Sequence, residues 1–261
     1  MVYEGTHDCL SGVRSACGTL ISNLIINTIV PFIGVRNMHA LWLKYFHAIS
    51  RSVLTGALLI FLCVPSSSNA AKAKPSFFNS KETESTNLKP FKKWNDALYR
   101  FSKEKAAQAK GGCKSTKLTK CHYNNWMTYI GKQKGKDKLT LIKEINARMN
   151  KAKYISDSNN WGQKDFWATP SEFMAKFGDC EDYAIIKYIS LRMLGFKENE
   201  IRVVAVKDLN LKVGHAILVA FVDGKTYVLD NQIKQVVEAS TVRHYQPVFS
   251  IGTKTWWRHR V

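Results

Sequence analysis

A chain of 261 residues has room for one or two domains with a real core, and its composition, 45% apolar and 23% charged, is that of an ordinary globular protein. The charge is less ordinary: 39 Lys and Arg against 20 Asp and Glu give +19, which favours acidic partners or an anionic surface. The basic residues are scattered through amphipathic and linker segments with no binding motif beside them, so a nucleic-acid partner is set aside in favour of a basic, soluble surface.

In chain order, residues 1–37 carry an apolar run, Thr19 to Val35, broken by Asn23, Asn27 and Pro31, which makes a poor membrane span. Residues 38–73 have the anatomy of a secretory signal: Lys44 and Arg51, the apolar core Val53 to Val64, then small residues before a cleavage point near Ala70 or Ala73. The competing reading, a permanent anchor, meets a run that is short for a span. A lipoprotein signal is opposed by Leu62, a bulky residue directly before Cys63. Met38 is a natural start for the signal, so residues 1–37 are set aside as an upstream segment misassigned to the protein. Residues 74–88 read as a polar linker, and 89–261 as the folded domain.

Within that domain, Phe91, Trp94, Leu98 and Phe101 recur at helical steps, as do Trp126, Tyr129 and Ile130, and then Leu139, Ile142, Ile145 and Met149. These stripes are core. Cys113 and Cys121 would close a short loop; export to an oxidising compartment permits a disulfide, the alternative being two free thiols. Asn159 to Gly162 reads as a loop. Trp161 and Trp167 either wall a cleft or pack in the core. Thr169, Pro170 and Glu172 form a capping box for a short helix to Lys176.

The segment the others serve is Gly178-Asp179-Cys180-Glu181-Asp182-Tyr183. Asp179 is a good N-cap, Gly195 a good C′ residue, and Cys180 falls at the first helical position, where free amides and the helix dipole favour a thiolate. Asp179, Glu181 and Asp182 oppose this, because like charge raises a thiol pKa. The conflict is removed if a hard cation holds the carboxylates, and an all-oxygen set of this kind suits calcium. Taken alone, the same residues are also read as a capped helix with a small buried cysteine.

A nucleophile needs a base and a group to orient it. Val213 to Val222, Asp223-Gly224 and Lys225 to Asn231 read as a β-hairpin with a two-residue turn. Pairing outward sets Val222 against Lys225, Ala220 against Tyr227, Ile217 against Asp230 and His215 against Gln232, which places His215 and Asp230 on one face as diagonal neighbours. Ile201 to Val206 reads as a strand, and Tyr245 to Trp257 as one final strand with Trp256-Trp257-Arg258 at an edge or docking surface.

Trp167-Ala168-Thr169-Pro170-Ser171-Glu172-Phe173, Gly178 to Ala184, Gly214-His215-Ala216 and Val228-Leu229-Asp230-Asn231 together resemble the bacterial transglutaminase-like cysteine proteinases, specifically their adhesin-releasing LapG type. The resemblance covers roughly the C-terminal two-thirds of the chain. It implies an α+β, papain-like/transglutaminase-like fold, with N-terminal helices followed by an antiparallel sheet packed on the cysteine helix. It assigns Cys180 as nucleophile, His215 as base, Asp230 as orienting acid, and Asp179, Glu181 and Asp182 as ligands of Ca2+. It further implies a periplasmic enzyme that cleaves a large repeat-rich surface adhesin near its N-terminus, controlling attachment and biofilm, and that an inner-membrane cyclic-di-GMP receptor sequesters. Two alternatives use the same residues: a transglutaminase-type acyl transferase, and a non-catalytic module that binds an adhesin or receptor.

Overall fold

A computed structural model describes residues 77–113 and 121–261. The expected upstream segment and secretory signal lie outside the described residues. Six helices and seven strands follow: β1 (Lys81–Ser85), α1 (Lys92–Ala109), α2 (His122–Gln133), α3 (Lys138–Met149), α4 (Asp157–Trp161), α5 (Pro170–Lys176), α6 (Cys180–Met193), β2 (Ile201–Asp208), β3 (Val213–Val222), β4 (Lys225–Leu229), β5 (Val237–Glu238), β6 (Tyr245–Ile251) and β7 (Trp256–Arg260). The strands form one sheet in the order β1-β7-β6-β2-β3-β4-β5, every neighbouring pair antiparallel. The α+β arrangement expected from the sequence is the one found.

At its centre, α6 is buried on all sides: every residue from Cys180 to Leu191 is inaccessible. A helix with no solvent face must be wrapped, and here the sheet covers one side and α3 and α5 cover others. Alternation along β3 sends Ala216, Leu218 and Ala220 into the core under α6, with Trp94, Trp126, Ile142 and Ile185, while Ile217 and Val219 enter a smaller cluster with Phe77, Val242 and Tyr245. Trp167 is in the main core, edge-on to Trp94 at 6.3 Å, which decides its role as packing.

Three readings are corrected. The expected linker 74–88 contributes β1, whose Lys-Glu-Thr-Glu-Ser sequence lacks an apolar face because it is a charged edge strand paired with β7. Its Glu82 forms a 2.8 Å ion pair with buried Arg202 on β2, whose guanidinium lies 3.6 Å from the Trp257 ring centroid. The single final strand is two, β6 and β7, and Trp256-Trp257-Arg258 lies within the sheet between β1 and β6. Asn159 to Trp161 belongs to the short helix α4, which Gly162 ends in the left-handed conformation at φ 65°. Cys113 and Cys121 are joined by a disulfide, their Cα atoms 5.6 Å apart.

Candidate active site

The start of α6 is fixed by its neighbours. Thr169 and Glu172 make both halves of the capping box that begins α5. That helix ends at Phe177, a non-glycine residue held at φ 66°, ψ −156°, a strained conformation of the kind that concentrates at functional sites. Gly178 follows because nothing larger fits: a Cβ there would strike the Asp182 carboxylate. Asp182, at the third helical position, accepts the Asp179 amide at 3.3 Å on Oδ2 and the Ala168 amide at 2.6 Å on Oδ1. Asp179 is thus the N-cap and Cys180 the first helical residue, as the sequence predicts. Cys180 is 1% exposed, with its sulfur 3.3 Å from Glu181 Oε2. That sulfur is disulfide-bonded in this structure, so any nucleophilic role belongs to the reduced form.

The acids around it fall into two groups that share Asp157. Asp157, Asp179 and Asp182 bring one oxygen each within 4.8 Å of one another, and Asp157, Asp165 and Glu181 form an overlapping group. The sequence reading missed Asp157 and Asp165. Asp157 arrives because Tyr154 bridges Gly178 in parallel, with the Ile155 amide donating to the Gly178 carbonyl at 2.9 Å. Asp165 is engaged elsewhere, by an ion pair with Lys93 and the Trp167 indole N–H at 2.9 Å. Asp157 Oδ1, Asp179 Oδ1 and Glu181 Oε1 are buried with no hydrogen-bond donor. Burial, and then the charge of Asp179, push the Asp157 carboxyl up to about 7 and hold Glu181 and Asp182 well above the usual carboxylate range; burial raises Asp179 as well. Buried carboxylate oxygens without donors are the groups a hard cation ligates, so the donor set fits calcium.

The hairpin forms in the predicted register. Val222 pairs with Lys225 and Ala220 with Tyr227, and the turn residues Asp223 and Gly224 take positive φ values of 49° and 77°. The ladder runs to Leu218 opposite Leu229, and Asp230 stands one residue beyond it. His215 and Asp230, both 1% exposed, meet with Nε2 2.9 Å from Oδ1. Two residues complete the pair: Tyr245, which the sequence does not single out, and Gln232, which the predicted register sets opposite His215. The Tyr245 hydroxyl donates to Asp230 Oδ2 at 2.6 Å, the Gln232 amide donates to Oδ1 at 2.9 Å, and the Gln232 side-chain amide lies 3.4 Å from His215 Nδ1. Burial alone would raise the Asp230 carboxyl. The hydrogen bonds and charge of His215, with those from Tyr245 and Gln232, outweigh it and hold the group below its ordinary value. The structure therefore joins His215 to Asp230, and places Cys180 with the acidic cluster at the start of the helix that packs on β3.

A buried cysteine opens the central helix, and a histidine–aspartate pair stands on the sheet that this helix packs against. The family model for bacterial transglutaminase-like cysteine proteinases (BTLCP) matches residues 113–257, and the chain belongs to that family. Among solved structures it is similar to Legionella pneumophila LapG, at 26% identity and a TM-score of 0.51, over 60% of this chain and 87% of that one. It is also similar to calcium-bound Legionella pneumophila LapG (26% identity, TM-score 0.50, 62% and 87%) and to the EGTA-treated form (25%, 0.51, 63% and 86%). Comparison with curated proteins finds no match.

Proposed function

We propose that the protein is an exported, calcium-dependent cysteine endopeptidase that cleaves a large repeat-rich surface adhesin near its N-terminus and so releases it from the cell. The observation that carries this reading is the buried His215–Asp230 pair, in which Asp230 engages Nε2, so that Nδ1, 3.4 Å from the Gln232 side-chain amide in this structure, is the nitrogen that would serve the thiol. In the proposed reaction His215 Nδ1 takes the proton of Cys180 as Sγ attacks the scissile carbonyl. The imidazolium, steadied by Asp230, then protonates the leaving amine. Water, deprotonated by the same imidazole, releases the acyl group from sulfur. The Cys180 backbone N–H, the first amide of α6, is the donor offered to the oxyanion.

Asp157, Asp179, Glu181 and Asp182 would hold the cation. Its charge would offset the repulsion among these acids and fix the helix start. Support comes from the donorless oxygens of that cluster and from the calcium-bound relative. Periplasmic location, a role in biofilm control and sequestration by an inner-membrane cyclic-di-GMP receptor complete the proposal, and rest on the signal-like segment and the family resemblance.

The test is to incubate the purified, reduced protein with calcium and the N-terminal region of a large adhesin encoded beside its gene. A single new cut in a small-residue, alanine-rich segment is expected. Incorporation of an added amine in place of hydrolysis would make it an acyl transferase, and tight binding without any reaction a module.

A further inference from the structure

One basic side chain reaches the acidic cluster. Among the described residues, Lys93, on the first turn of α1, is the only lysine or arginine ion-paired with any of Asp157, Asp165, Asp179, Glu181 and Asp182. Its Nζ sits on Asp165 Oδ2 and also donates to the Asp165 main-chain carbonyl at 2.7 Å. The other carboxylate oxygen, Oδ1, accepts the Trp167 indole N–H at 2.9 Å. Yet the same carboxylate stands with those of Asp157 and Glu181, one oxygen of each lying within 4.8 Å of the others. A unit positive charge is therefore held one carboxylate away from the place a divalent cation would take.

The two partners differ in their access to water. The Asp165 side chain is 7% exposed and that of Lys93 43% exposed. A lysine whose head is already near water loses little when its ion pair opens. Asp157 Oδ1 and Glu181 Oε1, buried with no hydrogen-bond donor, gain far more from a cation that ligates them.

The backbone around Asp165 is fixed without Lys93. Trp161 and Phe166 stack with ring centroids 4.4 Å apart. The Lys176 ammonium lies 4.2 Å from the Trp161 centroid, and the Arg100 guanidinium carbon 4.7 Å from that of Phe166. Arg100 Nη2 donates to the Trp167 carbonyl at 2.5 Å, and the Phe166 amide donates to Asp157 Oδ2. Both ends of the segment are thus anchored, so the Asp165 side chain can exchange an ammonium for a metal ion while the loop stays in place.

We infer that Lys93 is a built-in competitor of the cation: its ammonium neutralises Asp165 in the cation-free protein, and a divalent ion displaces it to recruit Asp165 as a further ligand. The inference rests on the reading of this cluster as a calcium site. Affinity at such sites follows the charge of the ligand set, and an ammonium at this range subtracts from it. Lys93 therefore sets the calcium affinity below what the five acids alone would give.

The experiment is isothermal titration of calcium into the full, reduced, chelator-treated protein, comparing wild type with K93M, K93Q and D165N. Both lysine variants should bind calcium about tenfold more tightly than wild type, the gain from removing the repulsion being limited by the exposure of the lysine. D165N should bind about tenfold more weakly. A lysine that only holds the loop gives the opposite sign, so weaker or unchanged binding in K93M and K93Q would overturn the inference, as would wild-type affinity in D165N. The wild-type titration reads the calcium site by itself: no binding there would sink the calcium reading and this inference with it, whereas failure of the inference alone leaves wild-type binding intact.

Discussion

The two carboxylate oxygens of Asp230 are divided between two rings: Oδ1 faces His215 Nε2 at 2.9 Å, and Oδ2 accepts the Tyr245 hydroxyl at 2.6 Å. The tyrosine fixes the plane of the carboxylate, and the carboxylate fixes the tautomer of the imidazole. Removing the base should therefore do most damage and removing the tyrosine least. His215→Ala is expected to lower kcat by about 10^3-fold or more, Asp230→Asn by about 10^2-fold and Tyr245→Phe by about tenfold, with KM little changed in each. Steady-state kinetics on the three variants check the ranking.

The same contacts set a pH dependence. The Asp230 carboxyl is held below its ordinary value in the folded protein, so it favours folding above its unfolded pKa, and that contribution disappears as pH falls through the depressed folded value. Denaturant titrations below pH 5 should show a shallower loss of stability in Tyr245→Phe and Asp230→Asn than in wild type.

Lys187 adds a slope of the same sign at higher pH. Its folded value of about 7 lies below its ordinary 10.5, so between these two values the unfolded chain binds more protons and stability rises with pH. K187M should abolish that slope and be more stable at pH 7 by on the order of 4 kcal/mol. Chemical denaturation at pH 7 and pH 10 measures both.

For the acidic cluster, calcium should raise the melting temperature and chelator should abolish activity, with magnesium restoring it poorly because it demands a tighter, octahedral shell. Asp157→Ala should resemble Asp179→Ala and Glu181→Ala in losing both the calcium response and activity. If Asp179 is only a helix cap, its loss costs about 1 kcal/mol and chelator does nothing. Calorimetry with and without chelator separates the two.

Gly178→Ala tests the geometry of the helix start. The added methyl meets the Asp182 carboxylate, which must then release the Asp179 or Ala168 amide. Activity and calcium-induced stabilisation should fall together in this variant.

The parts of this site that are local in sequence were legible there. The Asp223-Gly224 turn sets the hairpin register, and with it the approach of His215 to Asp230. The capping residues Thr169, Glu172, Asp179 and Asp182 announce where α5 and α6 begin. What the sequence hid was brought in from a distance. Asp157 reads as an ordinary first-turn acid until the Tyr154–Gly178 bridge lays it beside Asp179, 22 residues on. Tyr245 sits in an apolar strand pattern, and its hydroxyl gains meaning only when β6 and the loop after β4 converge. The β1 strand has no apolar alternation, so its pairing with β7 left no trace in the pattern.

The central claim is that Cys180 is the nucleophile served by His215 and Asp230. Intact-protein mass spectrometry of the reduced enzyme, quenched early in its reaction with an adhesin fragment in calcium, reads this most directly. The account predicts a transient acyl adduct on the Cys180 peptide in wild type, and neither adduct nor cleavage in a folded Cys180→Ala variant that still binds the fragment. Undiminished cleavage by Cys180→Ala would contradict it.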